Sequence, residues 1–202
     1  VDRTDTERLV KKMLKDYPER KCKVYLLHGD MSDEEMHSLY AHPNIKCLIS
    51  LSHGEGFGLP IFEAAYSALP VIAPGWSGHC DFLYAPHQDD GKKKKKKGKK
   101  PYFAEVEYSI DHIPDFAVWE GVLVKESKWC YPREGSYKMR LRQVRKNYDK
   151  WKSKADYLQK WVFENFNEAD IFKKFCGLVY NEDEVNLESW LTELNSEIVE
   201  HE

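Results

Sequence analysis

Residues 46–65 read Lys46-Cys47-Leu48-Ile49-Ser50-Leu51-Ser52-His53-Gly54-Glu55-Gly56-Phe57-Gly58-Leu59-Pro60-Ile61-Phe62-Glu63-Ala64-Ala65. The run 46–51 is continuous enough in apolar residues for a strand buried on both faces. A glycine-rich turn at 54–58 follows, and then an apolar, helix-forming stretch to about 68. Pro60 suits a first helical turn, where its missing N–H costs nothing. Residues 70–73 (Pro-Val-Ile-Ala) read as a third short strand, stopped by Pro74-Gly75.

Upstream, Leu9, Val10, Met13 and Leu14 repeat at helical spacing over 3–17, and Pro18 ends that helix. Residues 22–27 (Cys-Lys-Val-Tyr-Leu-Leu) read as a buried strand. Ser32-Asp33-Glu34-Glu35 is a capping box, with Met36, Leu39 and Tyr40 as the core face of the helix it opens. Strand, helix, strand, helix, strand predicts an α/β fold built on a Rossmann-like parallel sheet. Beyond residue 84 the pattern loosens. Residues 86–102 read as an exposed loop ending in lysines, and 121–124 as a fourth strand. One long helix is predicted over 137–165, with shorter ones near 168–180 and 187–199. The expected division is a Rossmann-like domain over 1–135 and C-terminal helices over 136–202. The final segment sets Leu187, Trp190, Leu191, Leu194 and Ile198 on one helical face.

Composition narrows the function. The chain has 202 residues, 42% apolar and 32% charged, as in globular proteins. Mean hydropathy is −0.68, and no apolar run is long enough to span a membrane as a helix. Eight lysines lie between 92 and 100; without them the formal net charge of −3 becomes −11. An acidic body argues against nucleic acid as a partner. Five widely spaced cysteines with no Cys-x-x-Cys fit reduced thiols in a cytoplasmic-type compartment, with Cys22 and Cys47 as packing residues. The lysine run has two readings, a solvated loop or a tether to an anionic surface, the latter adding membrane association.

The turn carries the chemistry. Ligands of open α/β sheets bind beyond the carboxyl ends of the strands. Gly56 and Gly58 allow close backbone approach. The free amides and partial positive charge at the following helix start suit a phosphate. Glu55 and Glu63 flank it, and a carboxylate can hold a vicinal diol through its two oxygens. The alternatives are a plain tight connection, with Glu63 only complementing the helix dipole. His53 either touches a sugar or bridges the turn. The spacing Gly-x-Gly-x-Gly fails the dinucleotide fingerprint, and no Gly-Lys-Ser/Thr follows, so a P-loop is excluded. His79, Cys80 and Asp81 are adjacent, a poor arrangement for sharing one metal ion.

The segment Glu55-Gly-Phe-Gly-Leu-Pro…Glu63-Ala-Ala, followed by Leu69-Pro70-Val71-Ile72-Ala73, resembles the C-terminal, donor-binding domain of family 4 retaining glycosyltransferases (glycosyl transferases group 1), which have the two-domain GT-B fold. Ser32–Tyr40 and Trp76-Ser77-Gly78-His79-Cys80-Asp81-Phe82 resemble it too, and the likeness covers roughly 22–84. It implies retaining transfer of a hexose or pentose from a nucleotide-diphosphate sugar, with the diphosphate stabilised electrostatically and no cofactor or metal. It implies that Glu55 is the catalytic residue and contacts donor-sugar hydroxyls. The amides of Gly56 and Phe57 would face the sugar, those of Gly58 and Leu59 the diphosphate, and Glu63 the ribose. His53 and Gly54 complete the donor-binding set. Gly29, Asp30 and Met31 would lie near the base, and a loop including Ser77, Gly78 and His79 would close over the site. The Glu55/Glu63 pair also resembles a glycosidase acid/base pair, which an anion-binding helix end disfavours. Phosphorylase-like and epimerase-type GT-B proteins share the architecture.

The family's donor domain begins with a strand that ends in Arg, followed by Lys, both gripping the diphosphate. No such strand precedes residue 3, and Arg3, Arg8, Lys11 and Lys12 lie on the wrong helix to replace the pair. The expectation is therefore a longer natural protein, or a second chain, supplying the missing central strands and an acceptor domain. The acceptor would be a glycan, lipid or protein. The remaining alternative is a nucleotide-sugar-binding fragment without independent activity.

Overall fold

The computed structural model describes residues 2–87 and 98–179. The chain divides into two compact units, 1–39 and 40–202.

In the first unit, helix α1 spans Arg3–Lys15, and the Asp2 carboxylate accepts the Thr4 N–H at 2.9 Å as its N-cap. The ion pairs Arg8–Asp5 and Lys11–Glu7 line its surface. The predicted stripe is present, but the helix buries no residue. Segment 22–27 is not a strand. Its Val24, Tyr25, Leu26 and Leu27 are exposed, as is Cys22, which therefore is not a packing residue. Its apolar character satisfies only half of what a strand needs. The other half is a partner for its backbone groups, and no strand among the described residues pairs with it. Helix α2, Asp33–Ala41, starts with the predicted box. The Ser32 N–H donates to Glu35 Oε2 at 2.9 Å, and the Glu35 N–H donates to Ser32 Oγ at 3.3 Å.

The second unit holds the sheet. Strands β1 (Leu48–Ile49) and β2 (Val71–Pro74) are parallel, joined through helix α3 (Leu59–Tyr66). β1 is shorter than the expected 46–51, although Leu48 N–H to Pro70 O and Ser50 N–H to Ile72 O continue the pairing. After the short helix α4 (Cys80–Leu83), strands β3 (Tyr84–Pro86) and β4 (Lys99–Pro101) form an antiparallel pair, and β5 (Ala104–Val106) returns parallel to β2. The sheet order is β1-β2-β5, a Rossmann-like α/β arrangement. The expected loop 86–102 is corrected at its end: Lys99–Pro101 is paired strand and Tyr102 is buried. Residues 88–97 lie outside the described set.

Strands β6 (Tyr108–His112) and β7 (Lys128–Pro132) pair antiparallel. Between them, 121–124 is not the expected strand. Trp119 and Leu123 exchange backbone hydrogen bonds across a tight turn, with Gly121 at φ 77°, a conformation glycine adopts without strain. The expected helix over 137–165 is two: α5 (Glu134–Lys146) and α6 (Tyr148–Asn165), broken at Asn147 with φ −125° and ψ 48°. Helix α7 spans Glu168–Val179. The predicted helix 187–199 lies outside the described residues.

Ile72, Ala104, Val106, Val144 and Trp151 form a core between the sheet and α5 and α6, with Cys47, Leu51 and Tyr137 packed against it. Helix α6 also secures α3. Lys152 Nζ donates to Ala68 O at 2.9 Å, and Gln159 Nε2 donates to Tyr66 O at 2.7 Å. A lysine ammonium at the α3 carboxyl end complements its dipole. No helix among the described residues is long and apolar enough to cross a membrane.

Candidate functional site

The turn 54–58 leaves the carboxyl end of β1 and enters α3, as the order of elements requires. Gly58 is the N-cap, at φ 87° and ψ 56°, a left-handed conformation that favours glycine. A Cβ there would lie 3.3 Å from that of His79 and 3.5 Å from that of Glu55. Pro60 sits in the first helical turn, as predicted. Among the described residues the amides of Gly56, Phe57, Gly58 and Leu59 have no acceptor. Unsatisfied amides at a helix start form a ready anion cradle. Gly56 has open space where a side chain would be.

Three supports hold the turn. The first is the loop after β2. Ser77 Oγ accepts the Glu55 N–H at 3.0 Å and donates to Glu55 O at 2.6 Å, and the Gly78 N–H donates to the same carbonyl at 3.1 Å. Gly78 lies so close to the Gly56 carbonyl that a Cβ would fall 2.7 Å from its carbon. Ser77 and Gly78 are thus fastened to the turn. The second support is β7. His53 Nδ1 lies 2.7 Å from Cys130 O, and the Cys130 N–H donates to His53 O at 3.1 Å. A carbonyl only accepts, so Nδ1 carries the proton in this pair. The His53 ring stacks on Trp129 at 4.7 Å. The third is an aromatic cluster: the Phe57 ring lies 5.2 Å from Phe62, 5.0 Å from Phe82 and 6.4 Å from Phe166.

His79 is buried, with Nε2 2.7 Å from Pro74 O, and among the described residues neither its Nδ1 nor the buried Ser52 Oγ has a partner. Glu55 is half-buried and Glu63 exposed. The Glu63 carboxylate lies near enough to the Tyr40 hydroxyl to act on it, and burial together with the Glu63 charge pushes the Tyr40 phenol up to about 12. A phenol raised in the folded state contributes stability that is fully present below pH 10 and lost as pH rises through about 12. Tyr40→Phe should accordingly flatten the fall in stability over that alkaline window, read by urea unfolding at stepped pH.

Gly54, Glu55, Gly56, Phe57, Gly58, Leu59 and Glu63 therefore share one turn-and-helix unit, with Ser77, Gly78 and His79 packed beside it and His53 tied to β7. Gly29, Asp30 and Met31 belong to the other unit, just before α2.

Known proteins resemble the chain over a limited stretch. Relatives from Escherichia coli named serotype-specific mannosyltransferase WbdA are 46% identical over 59 residues, which is 29% of this chain and 7% of theirs. The similarity is to part of a glycosyltransferase. The chain spans far less than two thirds of the length of these relatives. No family model matches, and no solved structure matches.

Sequence reasoning missed how the residues behind the turn pack. Trp76 Nε1 lies 3.9 Å from the position of a Gly54 Cβ, and its ring is 6.0 Å from Tyr108. The Tyr84 hydroxyl donates to Glu105 Oε1 at 2.7 Å. Burial first, then Glu105, raises the Tyr84 phenol. Burial, with Glu105, Asp81 and Cys130, pushes the Cys80 thiol up to about 11, so it is protonated at neutral pH and a poor nucleophile. Among the described residues no group of three or more His, Cys, Asp or Glu is placed to hold a metal ion. These contacts join residues distant in sequence, and no local spacing signals them.

Proposed function

We propose that this chain is the donor-binding half of a retaining, metal-independent glycosyltransferase of the GT-B type, taking a hexose or pentose from a nucleotide-diphosphate sugar. The observation that carries the reading is the set of four amides, Gly56 to Leu59, without an acceptor among the described residues, between two carboxylates at the mouth of α3. In this reading the diphosphate lies on those amides. They stabilise the charge that grows on it as the sugar leaves, a stabilisation strongest when the donors are fixed in advance. The Ser77, Gly78 and His53 bonds supply that fixity. Glu55 holds donor-sugar hydroxyls and is the catalytic residue. Glu63, near Tyr40, holds the ribose diol. The acceptor and the rest of the diphosphate grip come from an N-terminal acceptor domain or a second chain. The mannosyltransferase similarity supports mannose as the first sugar to test.

The test is a thermal-shift screen with UDP, GDP, ADP and their mannose, glucose and galactose conjugates. The expected result is stabilisation by one base, larger for a sugar conjugate than for the bare diphosphate. Stabilisation by none of them contradicts the reading. Where transfer is reconstituted, NMR of the product should show the donor's anomeric configuration retained.

A further inference from the structure

Away from the turn, α6 presents Trp151, Lys154, Tyr157 and Trp161 at steps of three and four, one helical face. Strand β4 lies along it. Lys99 Nζ sits 5.2 Å from the Trp161 ring centroid, Lys100 Nζ 4.8 Å from that of Tyr102, and Lys154 Nζ 4.4 Å from that of Trp151. Tyr102 stacks on Tyr157 at 4.5 Å, and the Tyr157 hydroxyl donates to Pro86 O at 3.2 Å. Arg140 of α5 and Lys150 of α6 are close enough to act on Lys154. Burial and the charges of Lys150, Lys100 and Arg140 hold its ammonium below the ordinary lysine range. Among the described residues no carboxylate comes within ion-pair distance of Lys99, Lys100, Lys150 or Lys154.

Lys99, Lys100 and Lys154 thus line one aromatic row, and among the described residues none of them has a carboxylate within ion-pair distance, while the chain as a whole is acidic. Like charges held together are unfavourable in the isolated protein and become favourable opposite an anion. We infer that the face formed by Lys99, Lys100 and Lys154 docks on an anionic lipid surface. The surrounding chemistry favours lipid over nucleic acid. Single-stranded nucleic acid needs open ring faces on which bases stack. Here the Trp161, Tyr102 and Trp151 rings carry lysine ammonium groups, and Tyr102 and Tyr157 are stacked on each other. The partly exposed Tyr157 and Trp161 beside these lysines are instead side chains of the headgroup level. The inference is independent of the donor-site reading, because none of these residues belongs to the turn.

The test is co-sedimentation of the full chain with phosphatidylcholine vesicles, with and without phosphatidylglycerol. The expected result is binding only with phosphatidylglycerol, lost at about 0.5 M salt, where screening reaches within a few Å of each charge. Each surface cation is worth about fivefold in partition, so K99S/K100S/K154S should lower binding by about a hundredfold, while K99R/K100R/K154R should retain it. Circular dichroism checks that both variants fold. Equal binding to neutral vesicles overturns the inference, as does full binding by the serine variant. Loss of binding only when the lysines at 92–97 become serine, or tighter binding to single-stranded DNA than to the vesicles, overturns it too.

Discussion

Gly78→Ala should destabilise the protein by about 3 kcal/mol, at the upper end of overpacking costs, and should abolish nucleotide binding with it. A methyl group there would meet the main-chain carbonyl of Gly56, and no rotamer relieves that contact. The loop cannot retreat without breaking three hydrogen bonds to the Glu55 backbone. Neighbouring Ser77, at φ 79°, already holds a conformation unusual for a non-glycine residue. Gly56→Ala is the contrasting variant. Among the described residues nothing lies within 4 Å of a Cβ there. Stability should stay within about 0.5 kcal/mol of the parent, the usual range for surface changes. If ligand approaches over Gly56, donor binding should still fall. Urea unfolding and calorimetry together separate the two effects.

Phe82→Ala should cost about 3–5 kcal/mol, the range for removing a fully buried aromatic ring. Phe82 is completely buried, 5.0 Å from Phe57, 5.2 Å from Phe62 and 6.2 Å from Phe166. It is where the turn, α3 and the end of α6 converge, so the cavity opens directly behind the cradle. Phe116→Ala, at a residue 89% exposed, should change stability by less than about 0.5 kcal/mol. Denaturant midpoints of the two variants check the contrast.

The segment from β1 through the turn and α3 to β2 was legible because its signals are local. Gly56, Gly58 and Pro60 define the turn, and an apolar run marks each strand. The capping box of α2 is legible for the same reason. β5 was not, because three residues, Ala104, Glu105 and Val106, become a strand only against β2. The opposite error arose at 22–27, where apolar residues without a ladder stay exposed. The break at Asn147 follows no proline or glycine, so helical periodicity read straight through it. At the candidate site the carboxylates and glycines were legible from their spacing. Their supports, Tyr40 against Glu63, Ser77 against Glu55 and His53 against Cys130, were not, since each spans more than twenty residues.

The central claim, an anion cradle flanked by a carboxylate that holds the ribose, is tested most directly by titration calorimetry of two ligands against the parent and Glu63→Gln. The ligands are the preferred nucleoside diphosphate and inorganic pyrophosphate. A hydrogen bond to a charged group is worth about 1.5–3 kcal/mol. Glu63→Gln should therefore weaken the nucleoside diphosphate by roughly ten- to a hundredfold and leave pyrophosphate unchanged. Equal affinity of parent and variant for the nucleoside diphosphate, or no binding of either ligand to the parent, contradicts the claim.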